Sequence, residues 1–160
     1  MSSSRSNLPP IRVYADTSVF GGAFDPEFQE ATRVFFDQVR HGTFILVISA
    51  VARRELQKAP TRVQSLYREL LPLAEALEIG EAALRLADAY LAAEIVSPKS
   101  ADDALHVALA TVARCPVIVS WNFRHIVHFQ KIALYNKVNV AHGHRTLGIF
   151  SPREVIEYED

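Results

Sequence analysis

Asp16, Glu55, Asp103 and Asn122 are the residues whose types and spacing could do chemistry in this chain. Asp16 stands in the stretch "VYADTSVFGG", where an apolar run ends on a carboxylate followed by Thr17 and Ser18. An ionised carboxylate in apolar surroundings is costly unless a hydrogen-bonding turn, a cation or a metal compensates it. Glu55 sits in "SAVARREL", four residues past Val51 and three past Ala52, so in a helix it shares their face. Asp102 and Asp103 open "DDALHVALA", and Ser120 and Asn122 follow the run "VIV". Carboxylates gathered at one place repel each other. The usual remedy is a hard divalent cation, Mg²⁺ or Mn²⁺, which takes carboxylate oxygens and water.

Each residue also has a purely structural explanation. Asp16 could close an Asx-turn. Glu55 could be a solvated helix residue. Asp103 could pair with Ser100 in a variant capping box or suit the helix dipole. Asn122 could cap a helix. Chemistry is favoured because all four fall at one edge of the sheet that the sequence predicts.

That sheet comes from "IRVYA", "FILVIS" and "PVIVS", continuous apolar runs that read as strands covered on both faces. Between them lie helical patterns. One runs from Asp25 as N-cap and Pro26 as first position to a stop at Gly42. Ser49 is placed to cap "AVARRELQKA", which Pro60 breaks before "TRVQSLYRELL" resumes. "EAALRLADAYLAAEIV" is helical by composition, "SPKS" interrupts, and "ADDALHVALATVAR" is apolar almost all round, as a buried helix is. "NFRHIVHFQKIALYNKVNVA" reads as one or two helices, "LGIF" as a short strand, and Ser151-Pro152 as the start of a helical turn. The alternation predicts an α/β fold of three layers, a central mostly parallel sheet flanked by helices. In such sheets ligands bind beyond the C-terminal strand ends, and right-handed crossovers bring the four positions there.

The 160 residues fit one domain over 11–160, after a disordered lead-in over 1–10 that lacks the apolar region of a secretory signal. A net charge of −1 gives no global basic field for nucleic acid, so any such contact must be a local patch. The single Cys115 excludes an internal disulfide; it reads as a core thiol, at the opposite end of the third predicted strand from the acids. No apolar run approaches the roughly 20 residues that span a bilayer, so no membrane partner is expected and a reducing cytoplasm is the default.

Taken together, "YADTSVF", "SAVARREL", "DDALHVALA" and "VIVSWNFRHI" resemble the motifs of the PIN-domain ribonucleases, most closely the VapC-like toxins of bacterial toxin–antitoxin pairs. The resemblance runs from about Ile11 to Val155. It implies a Mg²⁺- or Mn²⁺-dependent endoribonuclease that hydrolyses RNA phosphodiester bonds. Asp16, Asp103 and Glu55 would be the metal and catalytic acids, with Asn122 as the fourth catalytic position and Ser18, Ser120 and Asp102 in support. Asn122 is a departure, because many relatives carry Asp there, and it removes one negative charge. The resemblance also implies a homodimer and a cognate antitoxin. RNA approaching acids needs cations, for which Arg53, Arg54, Lys58 and Arg124 are candidates, with His125 and Lys131 nearby. Trp121, Phe20 and Phe123 border the expected pocket, and Trp121 is the candidate for stacking on unpaired bases.

Rival readings are a histidine metal site built from His125, His128, His142 and His144, and a phosphoryl-transfer protein, for which Ser18 stands where a second Asp is needed. A third is a catalytically inactive PIN-like module that binds RNA or protein. Between Asp102 and Asp103, helical periodicity alone does not choose, since both faces are apolar; the resemblance selects Asp103.

Overall fold

In the computed structural model, which describes residues 9–158, five strands form one parallel sheet. They are β1 (Ile11–Ala15), β2 (Phe44–Ser49), β3 (Glu75–Leu77), β4 (Val117–Val119) and β5 (Gly148–Phe150), in the spatial order β3-β2-β1-β4-β5. Positions 1–8 of the expected lead-in lie outside the described residues. The chain steps outward from β1 to β2 and β3, then returns to β4 and β5 on the other side. The order in which strands are added therefore reverses between β1 and β4, where an open α/β sheet leaves a crevice.

Side chains alternate across the strands and build two cores. Tyr14, Val47, Ile118 and Ile149 face α5 (Glu81–Ala92), α6 (Ala101–Val112) and α7 (Phe129–Ala141). Val13, Ala15, Leu46, Ile48 and Val119 face the other layer, α1 (Thr17–Gly22), α2 (Gln29–Arg40), α4 (Thr61–Leu70) and α8 (Pro152–Val155). The helix α3 (Ala50–Leu56) straddles both, sending Val51 to the first core and Ala52 and Leu56 to the second. The long runs of "IRVYA" and "FILVIS" follow from this double coverage.

The fold matches the expected α/β class, with local differences. α1 was not expected: a six-residue helix with two glycines gives little periodic signal. Gly22 is required there, because a Cβ would lie 2.6 Å from Trp121 Nε1 and 2.9 Å from Thr32 Oγ1. α2 begins at Gln29, not beside Asp25; the Asp25 side chain instead accepts the Glu27 N–H at 2.8 Å in a turn. Gly42, at φ +82°, ends that segment as expected. β3 was also not expected, being three residues at a sheet edge with exposed side chains. α5 stops at Ala92, short of Val96. At the last turn Ser151 and Glu154 form a full capping box. Among the described residues no helix is long and apolar enough to cross a membrane.

Candidate active site

Asp16 follows β1 and Ser120 follows β4, on adjacent strands at the reversal of the sheet. Asp16 is 3% exposed. The Ser18 hydroxyl donates to its Oδ1 at 2.6 Å and the Ser120 hydroxyl to its Oδ2 at 2.8 Å. Each serine in turn accepts a backbone N–H, Trp121 N–H onto Ser18 and Asn122 N–H onto Ser120, both at 2.9 Å. The loop after β4 is thus tied to Asp16 through two hydroxyls. Burial raises the Asp16 pKa and neighbouring Asp103 adds to the rise, against the pull of His106, Ser18 and Ser120.

Asp103 lies in the first turn of α6 and is half-buried. Burial raises its pKa too, opposed by hydrogen bonding to Asn122 and by His125 and His106, while Glu55 adds to the rise. Ser100 makes no side-chain capping bond, so the capping-box explanation of Asp103 does not hold. Asn122 Oδ1 accepts the N–H groups of Arg124 at 3.2 Å and His125 at 2.9 Å, closing a turn and leaving its amide nitrogen for Asp103.

Glu55, on α3, is half-buried. Its Oε1 accepts from Thr17 Oγ1 at 2.6 Å and meets His106 Nε2 at 2.7 Å. Burial works to raise its pKa, but these hydrogen bonds and the charge of His106 and Arg54 outweigh it, so the net direction is down.

The structure therefore brings Asp16, Ser18, Glu55, Asp103, Ser120 and Asn122 to one crevice. Asp102 does not join them. It pairs with Arg54 at 2.9 Å on the exposed side of α6, which also occupies Arg54. Arg53 lies 3.7 Å from Glu78, and Lys131 donates to the Ile95 carbonyl at 2.6 Å. Lys58 and Arg124 are exposed. Trp121 is not presented for stacking: it is 6% exposed, Phe28 stacks on its ring at 4.2 Å, and Arg153 lies over the ring at 5.4 Å. Phe20 is a core residue, whereas Phe123 is 46% exposed. Cys115 is buried, which pushes its thiol up to about 11, so it is no nucleophile at neutral pH.

Among the described residues no three His, Cys, Asp or Glu side chains form a ready-made metal cage. This applies to the rival histidine site as well as to the acids. The donors fit a hydrated hard cation better than a cage. Asp103 adds to the raised proton affinity of Asp16, Glu55 adds to that of Asp103, and among the described residues no Lys or Arg is ion-paired with either acid. Mg²⁺ takes one or two carboxylates and keeps several waters.

The sequence profile of the PIN domain matches residues 12–124, from the start of β1 to just past Asn122. The chain belongs to the PIN-domain family. No curated protein sequence matches it significantly. Solved structures share the PIN fold at low identity. FitAcB from Neisseria gonorrhoeae superposes with a TM-score of 0.56 at 15% identity, over 88% of this chain and 97% of that one. VapBC2 from Rickettsia felis, bound to a DNA fragment from their promoter, gives 0.57 at 13%, over 87% and 97%. VapBC-1 from nontypeable Haemophilus influenzae gives 0.57 at 15%, over 89% and 98%.

Residue reasoning passed over three members of this PIN-domain site: Thr17, His106 and Tyr14, whose hydroxyl meets His106 Nδ1 at 2.6 Å. His106 had a signal, because it lies three residues past Asp103 and is a polar residue on an otherwise apolar buried helix. Thr17 had none beyond its place beside Asp16.

Proposed function

We propose that this PIN domain is an endoribonuclease that uses Mg²⁺ or Mn²⁺ to hydrolyse RNA phosphodiester bonds, as the toxin of a toxin–antitoxin pair in the cytoplasm. One observation carries this reading: two neighbouring carboxylates, Asp16 and Asp103, lie where the strand order reverses, with raised pKa values and, among the described residues, no Lys or Arg ion-paired with either. An acid pair left in that condition suits an external cation.

Asp16 and Asp103 would hold the cation, with Asn122 beside them and Glu55 at the edge of its shell. When bound, such a cation neutralises charge at the scissile phosphate and lowers the pKa of water. Ser18 and Ser120 hold both oxygens of Asp16 in place. Glu55 Oε1 is taken by Thr17 and His106, which leaves Oε2 to accept a hydrogen bond from the attacking water. Arg124 and Lys58, exposed near these elements, would meet RNA phosphates. The resemblance to VapC-like toxins and the neighbours FitAcB and VapBC2 support a cognate antitoxin, while the homodimer rests on the resemblance alone.

A second reading, an inactive PIN-like module that binds RNA or protein, is favoured by one detail: the Asn122 oxygen is committed to two backbone N–H groups. One experiment separates the two. The full chain is incubated with mixed-sequence RNA and Mg²⁺ or Mn²⁺, beside an Asp16→Ala variant and an EDTA control. Cation-dependent cleavage that Asp16→Ala abolishes is expected. Cleavage that survives EDTA would overturn the metal mechanism, and no cleavage by folded parent would favour the inactive module.

A further inference from the structure

Ser49 stands at the N-cap of α3, yet its hydroxyl makes no capping bond and meets Tyr14 Oη at 2.7 Å. Tyr14 Oη also meets His106 Nδ1 at 2.6 Å, and Nε2 of the same ring meets Glu55 Oε1 at 2.7 Å. Ser49, Tyr14 and His106 are 2%, 0% and 1% exposed. A hydrogen-bonded chain thus runs from the core to the half-buried Glu55.

Its direction follows from what each atom can do. At neutral pH the Glu55 carboxylate only accepts, so Nε2 carries the hydrogen. In the neutral ring Nδ1 is then an acceptor, to which the Tyr14 hydroxyl donates, and the Tyr14 oxygen accepts from Ser49. Every hydrogen points toward Glu55. Thr17 donates to the same Oε1 at 2.6 Å. Two donors therefore converge on one oxygen.

This arrangement is not what sheet packing alone would select. A Ser hydroxyl normally stabilises a helix from the N-cap, and here that bond is given up. Polar groups buried in a core stabilise no more than apolar ones of the same shape. Local rules broken together beside a cleft mark a site. The chain also explains why Glu55 needs no cation of its own.

We propose that His106, with Nε2–H held toward Glu55 and Nδ1 accepting from the Tyr14–Ser49 pair, is the positioning residue for Glu55, fixing Oε1 so that Oε2 is left to orient the attacking water. This rests on the nuclease reading above. It separates Glu55 from Asp16 and Asp103, which hold the cation, and predicts that disturbing His106 affects turnover and leaves cation affinity alone.

The test uses the full chain, a single-stranded mixed-sequence RNA carrying a fluorophore and quencher, and Mn²⁺. Variants are His106→Leu, His106→Gln, Tyr14→Phe and Thr17→Val. Measured are kcat, KM, melting temperature, Mn²⁺ affinity by electron paramagnetic resonance, and the ring tautomer by ¹⁵N NMR. His106→Leu should lower kcat about 10- to 100-fold with KM and Mn²⁺ affinity unchanged. His106→Gln, whose amide can donate to Oε1, should recover most of that loss. Tyr14→Phe should leave the Nε2–H tautomer in place, free the ring to shift, and lower kcat by about tenfold. A purely structural role would lower the melting temperature of these variants without changing kcat, and that result overturns the proposal. If His106→Leu does not fold, Tyr14→Phe and Thr17→Val decide it by the same criterion. If the parent cleaves no RNA, the nuclease reading fails. The NMR arm then decides the geometry separately: a single Nε2–H tautomer in the parent upholds it, and Nδ1–H in the parent overturns it.

Discussion

Asp16 and Glu55 are carboxylates of one crevice, yet burial leaves the first with raised proton affinity and the second ends below the ordinary range. Asp16 is the more deeply buried, faces a second acid in Asp103, and receives only hydroxyls. Glu55 is partly open to water and receives His106 and Thr17 on one oxygen. One half of the site is therefore short of positive charge and the other is internally satisfied. The difference teaches where an external cation is needed. It also suggests how to break the site one half at a time.

The largest effect should come from neutralising the unsatisfied half. Asp16→Asn should reduce RNA cleavage by orders of magnitude, because it removes one of two anionic ligands. It should also raise the melting temperature of the cation-free protein, since a buried carboxylate facing another acid works against the fold. Glu55→Gln should reduce cleavage too but should not raise the melting temperature, because its charge is already compensated. Equal melting shifts for the two variants would erase the contrast.

Asp102 and Asp103 sharpen it further. Asp103→Asn should behave like Asp16→Asn, losing turnover by orders of magnitude with the fold intact. Asp102→Asn breaks only an exposed pair with Arg54, worth about 0.5 kcal/mol or less, and should leave cleavage near the parent rate. A dead Asp102→Asn beside an active Asp103→Asn would move the site by one residue.

The two halves also titrate in opposite senses. Asp16 and Asp103 have raised folded pKa values, so the folded state binds their protons more tightly than the unfolded chain. Stability without cation therefore falls as pH rises from the ordinary carboxylate range through those raised values. Glu55 has a lowered value, so its contribution is present above its ordinary pKa and is lost as pH falls through the lowered one. The melting temperature without cation should rise as pH is lowered from neutral through those raised values toward the ordinary carboxylate range. Added Mg²⁺ should raise it more at neutral pH than near the ordinary carboxylate range, because the cation competes with those protons. Calorimetry at both pH values checks this, and an Mg²⁺ effect independent of pH would count against the acid pair as its site.

Most of this contrast was legible in the sequence from Asp16 itself. A strand that ends on a carboxylate states the problem, and alternating strands and helices place the other polar residues at the same edge. The compensated half was harder to read. Glu55 was visible as an acid on a helix, but its partners His106, Thr17 and Tyr14 come from α6, α1 and β1, and no local pattern announces their meeting. Ser49 shows the limit clearly. Its position predicts a helix cap, and only the tertiary fold brings Tyr14 close enough to take its hydroxyl. Trp121 shows the converse, since a tryptophan beside a site looks available until Phe28 and Arg153 are seen to cover it. The elements that escaped, α1 and β3, are too short for either periodicity to register.

The smallest expected effect belongs to Asn122, which sits in the unsatisfied half but carries no charge. Asn122→Asp keeps an oxygen for the N–H groups of Arg124 and His125, so the turn should survive. What changes is the face toward Asp103, where an amide that hydrogen-bonds to the carboxylate becomes a like charge. With the screening of bulk water, repulsion between unit charges about 4 Å apart is about 1 kcal/mol. In a chain of this length that corresponds to a melting temperature roughly 3 °C lower without cation. The added charge should tighten Mn²⁺ binding by about tenfold or less, the equivalent of the same energy recovered. Lower stability without cation and tighter binding with it must appear together if Asn122 lies against the cation. If neither changes, Asn122 is a turn residue only, and Asp16 and Asp103 must account for the cation without it.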